Sequence, residues 1–123
     1  MRGSKSDLPV MMEAGEAAIR GADWGGMRAL VVSLPTGTDI TPLLKGLPDD
    51  RCSCPHWGYV IKGRLRLTSA DGEETLQAGD VFYRAPGHTV FVEEAVEFFE
   101  LAPPDEHQRV LDVVQRNAAA GSA

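Results

Sequence analysis

Hydrophobic and polar residues alternate through most of residues 18–101, in short runs separated by turn sequences. In residues 64–68, Leu65 and Leu67 share one side of a strand and the arginines share the other. The Asp-Gly pair at 71–72 is a strong hairpin signal, and glycines at 79 and 87 mark further turns. Short strands at this spacing predict an antiparallel sandwich or barrel. The predicted strands are residues 18–20, 28–34, 36–40, 57–61, 64–68, 73–77, 81–84, 88–92 and 96–101.

The hydrophobic period changes after the two prolines at 103 and 104. Asp105 is a good helix cap, and an apolar stripe of Val110, Leu111 and Val114 follows it. We therefore predict a helix over residues 105–117, with His107 as an ordinary surface residue on its polar side. The sequence therefore predicts four segments of the chain: a flexible lead-in (1–17), a β-barrel (18–104), the helix (105–117) and a disordered tail (118–123).

Size and charge limit the possible functions. A chain of 123 residues and 13.3 kDa forms one domain around one core. The net charge of −6 argues against binding nucleic acid or an anionic membrane, since both would repel it. No apolar run approaches the roughly 20 residues that span a bilayer, and the N-terminus lacks the apolar stretch of a signal peptide. We therefore expect a cytoplasmic protein.

The most distinctive chemistry lies between residues 52 and 63. Cys52, Cys54 and His56 alternate, so in an extended strand their side chains point to the same face. Two thiolates and an imidazole on one face form half of a zinc or other transition-metal site. A disulfide between the cysteines is disfavoured, because residues two apart in a strand have parallel side chains and a cytosolic protein keeps its thiols reduced.

Two stretches resemble the paired motifs of the cupin family. The first is His56-Trp-Gly-Tyr-Val-Ile-Lys-Gly63, and the second is Gly79-Asp-Val-Phe-Tyr-Arg-Ala-Pro-Gly-His88. The resemblance covers roughly residues 28–104 and is closest to small bacterial single-domain cupins. It implies an antiparallel jelly-roll β-barrel, with a metal or small-molecule site inside the barrel mouth and a tendency to dimerise.

The metal-ligand pattern departs from that of the family. Counting back from Gly63 places His56 in the family's glutamate position, and residues 49–52, where two histidines would lie, contain none. The metal histidine of the second motif aligns with Val90, whereas the nearby histidine here is His88. The family's ligand set is therefore not intact.

Three interpretations of the site stay open. In the first, Cys54, His56 and His88, with Cys52 near them, form a rearranged site for a divalent transition metal, with zinc favoured by the sulfur and nitrogen donors. In the second, the barrel is metal-free and His56 acts with Tyr59, Tyr83 or Glu97 on a small molecule. In the third, the cysteines and histidines are structural. The candidate catalytic residues are His56, Tyr83 and Glu97, and Glu100 is a further candidate for the acid/base partner because the interior face of its strand is not determined by the sequence.

The expected function is that of a small cupin acting on a small polar metabolite, as a metal-dependent lyase, isomerase, hydrolase or oxygenase. The alternative is a non-catalytic cupin that senses or stores a metal or small molecule. A homodimer is expected because Trp57, Tyr59 and Ile61 share one face of their strand. If the histidine face lines the barrel, these three residues need a cover. The leucines of the loop at 41–51 could supply it within one chain and a partner subunit could supply it from outside, and we favour the partner.

Overall fold

The computed structural model describes residues 1–121 and shows seven antiparallel strands followed by one long helix. The element order confirms the predicted all-β class with a C-terminal helix. Two short 3-10 helices, Thr41–Leu44 and Pro48–Asp50, lie between the third and fourth strands. The strands are β1 (Val10–Ala14), β2 (Ala17–Trp24), β3 (Met27–Leu34), β4 (His56–Ser69), β5 (Gly72–Gln77), β6 (Val81–Arg84) and β7 (Thr89–Ala102), and the helix is α1 (Pro104–Gly121).

Strands β4 and β7, of 14 residues each, form the centre of the sheet. The strand order is β1-β2-β3-β7-β4-β5, and β6 pairs with the first part of β4. The start of β4 therefore lies between β6 and the end of β7, with Trp57 opposite both Tyr83 and Leu101. This pairing brings the two predicted motifs side by side.

Two predicted strand breaks are absent, because β4 and β7 run continuously through residues 62–63 and 93–94. The pairing between these strands is instead irregular around Lys62, where the register shifts. Gly63 adopts a φ of +85°, and a side chain there would collide with the backbone of Ala95. The glycine therefore bends β4 as a bulge, which lets the long strands curve around the barrel without a turn.

Other predicted boundaries need correction. Residues 10–14, expected in the flexible lead-in, form β1, and residues 36–40 contribute only one bridge, from Asp39 to Phe91. The helix begins at Pro104 and continues to Gly121 instead of ending at 117. Alanines at 118–120 have high helix propensity, which explains the extension. Of the predicted tail, residues 122–123 lie outside the described part of the chain.

Strand alternation determines which side chains enter the barrel. On β4, His56 and Val60 are buried, whereas Trp57, Tyr59 and Ile61 are each nearly half exposed. On the second half of β7 the inward set is Val96, Phe98, Glu100 and Ala102. A histidine and a glutamate therefore share the interior with the aliphatic core.

Helix α1 packs against the loop that follows β3. Val110 and Leu111 are buried, and the side-chain amide of Asn117 donates hydrogen bonds to the carbonyl oxygens of Leu43 (2.7 Å) and Lys45 (2.8 Å). Leu44 in the same loop is 1% exposed and joins the core. Helix and loop together close one end of the barrel. No helix within residues 1–121 has the length and apolar character needed to cross a membrane.

The close packing of β4 against its neighbours yields a stability prediction. A Cβ on Gly58 would lie 2.6 Å from the Phe82 ring and closer still to the Phe99 carbonyl oxygen. We expect Gly58→Ala to lower the free energy of unfolding by about 1 to 3 kcal/mol, as overpacked substitutions do. Urea denaturation measures the change. Gly121→Ala, which meets no atom within 4 Å, should stay within about 0.5 kcal/mol of the parent. Equal stability of the two variants would contradict this packing.

Candidate metal centre

Cys52, His56 and His88 form a buried cluster of three potential metal ligands. One ligand atom from each lies within 4.8 Å of the other two, and all three residues are buried. Backbone hydrogen bonds create the cluster. The Cys52 amide donates to the His88 carbonyl oxygen (2.9 Å), and the Gly87 amide donates to the Cys52 carbonyl oxygen (2.7 Å). His56, at the start of β4, completes the cluster from the neighbouring strand.

His88 presents a free ring nitrogen to this cluster. Its Nδ1 lies 2.6 Å from the carbonyl oxygen of Ala85, which can only accept, so Nδ1 carries the proton. The other nitrogen, Nε2, then has a lone pair, and it has no hydrogen-bond partner among residues 1–121 although it is buried. The His88 and His56 rings are 5.3 Å apart between centroids. A buried lone pair beside two other ligand atoms is arranged as a metal ligand would be.

Glu100 favours the same tautomer in His56, with the proton on Nδ1 and the lone pair on Nε2. Its Nδ1 lies 3.3 Å from Oε2 of Glu100, a charge contact that lacks hydrogen-bond geometry, and its Nε2 lies 3.5 Å from the Cys52 sulfur. The negative charge of the nearby carboxylate favours the proton on Nδ1 and leaves the Nε2 lone pair facing Cys52. A carboxylate behind a ligating histidine is a common arrangement at metal sites.

Glu100 is held ionised by the groups around it. Burial alone would raise its pKa, but the charge of Arg84 and the nearby His56 outweigh burial and hold the pKa below its usual range. The Arg84 guanidinium forms a buried ion pair with the Glu100 carboxylate. Arg84 in turn packs over the rings of Phe82 and Phe98, at 5.3 Å from each centroid. The pair therefore brings two opposite charges into the interior in a fixed position.

Burial keeps the histidines neutral and the cysteines protonated in the absence of metal. It lowers the pKa of His88 to about 3, with Arg84 adding to the effect, and it lowers the pKa of His56 despite the opposing charge of Glu100. Burial likewise raises the pKa of the Cys52 thiol and raises that of Cys54 to about 12. Neutral imidazoles are the ligating form, whereas a thiol must release its proton when a metal binds.

Cys54 is not part of this cluster. It is fully buried, but its sulfur contacts the carbonyl oxygen of Pro55 at 3.4 Å. Strand β4 begins only at His56, and residues 53–55 are irregular. This corrects the expectation that residues 52, 54 and 56 share one face, because the alternation of side chains holds only within a regular strand. Cys52 is the cysteine that joins the two histidines.

Tyr83 and Glu97, the other candidate catalytic residues, lie on outward faces of their strands. Tyr83 is 53% exposed, and its ring lies 5.3 Å from that of Trp57. Glu97 forms an ion pair with Lys5 and accepts a hydrogen bond from the Ser33 hydroxyl (3.2 Å). Neither residue lines the cavity beside the cluster. The carboxylate that does is Glu100, since residues 97 and 100 have opposite parity on β7.

His107, expected on the surface, is 5% exposed and faces the same interior. Its ring centroid lies 6.0 Å from that of His56, and its Nδ1 lies 3.0 Å from a guanidinium nitrogen of Arg28. Burial lowers the pKa of His107 to about 4. The position was open to detection from the sequence, because residue 107 precedes Val110, Leu111 and Val114 at helical spacing on the apolar stripe.

A cavity of about 110 Å³ adjoins the cluster. Its polar lining comes from Cys52, His56, Arg84, His88, Glu100 and His107. The rest is aliphatic or aromatic and includes Val110, Leu111 and Val114 of α1. The ligand atoms therefore border a small space that the helix covers.

Comparisons with solved structures show the cupin fold. A variant of oxalate decarboxylase from Bacillus subtilis matches with a TM-score of 0.58 and 18% identity, over 82% of this chain and 28% of that chain. An RmlC-like cupin from Shewanella frigidimarina matches with a TM-score of 0.60 and 13% identity, over 82% and 88% of the two chains. A protein of unknown function from Rhizobium leguminosarum bv. viciae matches with a TM-score of 0.62 and 17% identity, over 83% of this chain and 94% of that chain.

These likenesses confirm the predicted cupin jelly-roll barrel. This chain spans less than a third of the oxalate decarboxylase chain and most of the other two. No protein-family model matches the sequence, and no curated protein matches it.

The buried histidines predict acid sensitivity in the metal-free protein. Their folded-state pKa values lie below the usual 6.5, so the unfolded chain takes up protons first as the pH falls. The contribution of each histidine to the free energy of unfolding is fully present above about pH 6.5. It is lost as the pH falls towards about 4 for His107 and about 3 for His88. Each such group contributes a slope of about 1.4 kcal/mol per pH unit within its window. Urea denaturation between pH 7 and 4.5 measures the slope.

The variant His107→Phe is the control for this pH dependence. It should reduce the slope of the free energy of unfolding against pH, between pH 6.5 and 4.5, by about the contribution of one titrating proton. A free energy of unfolding that is constant over this range in the parent protein would contradict the burial of neutral histidines.

Proposed function

We propose that this chain is a metal-binding cupin in which Cys52, His56 and His88 hold one divalent transition metal beside a small-molecule cavity. The observation that carries the proposal is the buried Nε2 of His88, which has no partner among residues 1–121 and lies within 4.8 Å of two other ligand atoms. Leaving such a group unsatisfied costs about 1 to 3 kcal/mol, and a metal bond removes that cost.

The donor set supports zinc as the resident metal. One thiolate and two imidazole nitrogens are the soft and intermediate donors that zinc accepts in proteins, whereas magnesium and calcium prefer oxygen. The supporting groups fit as well, since Glu100 and the Ala85 carbonyl oxygen each face the Nδ1 of one histidine. Both Nε2 atoms are thereby left available for ligation.

Three protein ligands favour a site that accepts a further molecule. Structural zinc sites close with four protein ligands, whereas catalytic sites keep one position open. Cys54, the cysteine ligand favoured from the sequence, contacts Pro55 instead. A metal with an open position supplies polarisation of a bound oxygen or acidification of a bound water. In the chain itself, Glu100 orients His56 and Arg84 fixes Glu100, so we propose these two as positioning residues.

A non-catalytic role in holding a metal or small molecule is the second candidate. The position of α1 favours it, because the helix is tied to the loop at Leu43 and Lys45 and lines one side of the cavity, which narrows access for substrate and product. The fold does not separate these candidates, because the matches to solved structures are at most 20% identical in sequence and show the fold alone.

We also propose a homodimer formed through an outer apolar face of the barrel. We define this outer apolar face as Trp57, Tyr59, Ile61, Val81, Tyr83 and Phe99, each between 37% and 82% exposed. The residues are neighbours across the strands, with Tyr59 opposite both Val81 and Phe99. The loop at 41–51 packs at the α1 end instead of covering them. A second copy placing the same face against this one would bury it with two-fold symmetry.

Metal analysis tests the proposed ligands. We expect the untagged protein to bind about one zinc ion per chain, as measured by inductively coupled plasma mass spectrometry after dialysis. Cys52→Ser, His56→Ala and His88→Ala should each weaken binding by more than the roughly 10- to 100-fold that loss of a supporting partner costs. Cys54→Ser is the matched control, and it should retain the metal. Full occupancy in the Cys52 and His88 variants, or equal loss in the Cys54 variant, would exclude this ligand set.

Light scattering tests the proposed dimer. The parent protein should have about twice the mass of 13.3 kDa at micromolar concentration. Tyr59→Lys places a charge in the middle of the outer apolar face and should give a monomer. Thr75→Lys, on the exposed part of β5, should leave the dimer intact. A monomeric parent protein would remove the reason to expect a partner on this face.

A further inference from the structure

Two polar groups that face the cavity are not required to hold the metal, and both are hydrogen-bond donors. The first is Arg84, which is 5% exposed and lines the cavity. Its terminal nitrogen Nη2 pairs with Glu100, but its Nε–H has no partner among the described residues. Arginine has no acceptor atom, so only a hydrogen-bond acceptor satisfies this group.

The second donor is His107, whose tautomer is determined by Arg28. An Arg28 guanidinium nitrogen lies 3.0 Å from Nδ1 of His107, and because the guanidinium only donates, Nδ1 is the acceptor. The proton of the neutral ring is therefore on Nε2. Arg28 is itself fixed by Asp23, at 2.8 Å and 3.2 Å, and by the side-chain oxygen of Gln108 at 2.9 Å. His107 is thus held as an Nε2 donor from helix α1, outside the barrel strands.

Charge indicates what these donors bind once the proposed metal is present. Arg84 and Glu100 offset each other, and the Cys52 thiolate offsets half the charge of a divalent ion. With neutral histidines, one positive charge remains in a buried site. An uncompensated buried charge is strongly unfavourable, so the site favours a ligand that carries one negative charge.

The cavity limits the size of that ligand. Its volume of about 110 Å³ is smaller than the roughly 150 Å³ cavity that accommodates benzene. The walls away from the polar end are apolar and include Val90, Phe98 and Val110. A ligand with several hydroxyl groups would leave some of them unpaired against these walls, whereas a short alkyl group fits them.

We infer that the ligand of this site is a small monoanion with oxygen acceptors, of the short monocarboxylate class, and that Arg84 and His107 donate hydrogen bonds to it. The inference rests on the metal site proposed above. It assigns His107 a role in positioning the ligand, and it gives the C-terminal helix a part in the site beyond covering it.

A titration of cobalt-substituted protein tests the inference without any assay of activity. Acetate and acetamide have nearly the same shape, but only acetate carries a negative charge. We expect acetate to change the visible spectrum of the bound Co²⁺ and acetamide to bind at least about tenfold more weakly. Removing one donor, in His107→Phe, should weaken acetate binding by about five- to tenfold, the usual effect of losing one hydrogen bond. His107→Gln restores a donor and should recover part of this loss.

Arg109→Gln, which removes a donor from the exposed side of α1 outside the cavity, is the matched control and should bind acetate like the parent. Stoichiometric Co²⁺ binding with equal affinity for acetate and acetamide, or with no spectral response to either, would overturn this inference and leave the metal site standing. Failure of the parent protein to bind Co²⁺ or Zn²⁺ would overturn both. The comparison of the two probes needs only the parent protein, so a variant that fails to fold does not affect it.

Discussion

The buried ion pair of Arg84 with Glu100 determines the arrangement of the whole site. It joins the end of β6 to the end of β7 across the start of β4, and it leaves the second oxygen of the carboxylate beside Nδ1 of His56. A buried pair of this kind is weak support for stability, because the loss of hydration offsets most of the attraction. Its importance here is geometric, since it places the carboxylate where its charge favours the proton on Nδ1 of His56. The Nε2 of His56 is then the nitrogen that faces Cys52.

The outer face of the same strands is apolar as well. In a half-exposed sheet the polar residues normally face the solvent, and the aliphatic residues face the core. Here His56 and Glu100 share the inward side with Val60 and Phe98, while Trp57 and Tyr59 face outward. The start of β4 is therefore apolar on its outer side although its inner side is already packed, which is the reason to expect a partner on the outer apolar face.

Much of the fold could be predicted from the sequence, because turn residues and alternation are local signals. The alternation of side chains along a continuous strand also placed His56 on the opposite face from Trp57 and Tyr59, as the structure has it. The prediction failed where the backbone leaves regular geometry. Pro55 and its neighbours interrupt the alternation, so Cys54 turns away while Cys52 approaches the histidines. The faces of β7 could not be assigned in the same way, since acidic residues lie at both parities.

His107 shows why contacts between elements were harder to predict than the elements themselves. Its neighbours in the sequence are charged or polar, which favours the surface, and only its helical spacing from Val110 and Val114 places it on the buried stripe. Which side chain a buried histidine meets depends on how the helix lies across the barrel. Here Arg28, near the start of β3 and 79 residues away in the sequence, contacts Nδ1 of His107 and leaves Nε2 of His107 as the donor. A helix added after the barrel strands can therefore bring a hydrogen-bond donor to the cavity without altering Cys52, His56 or His88.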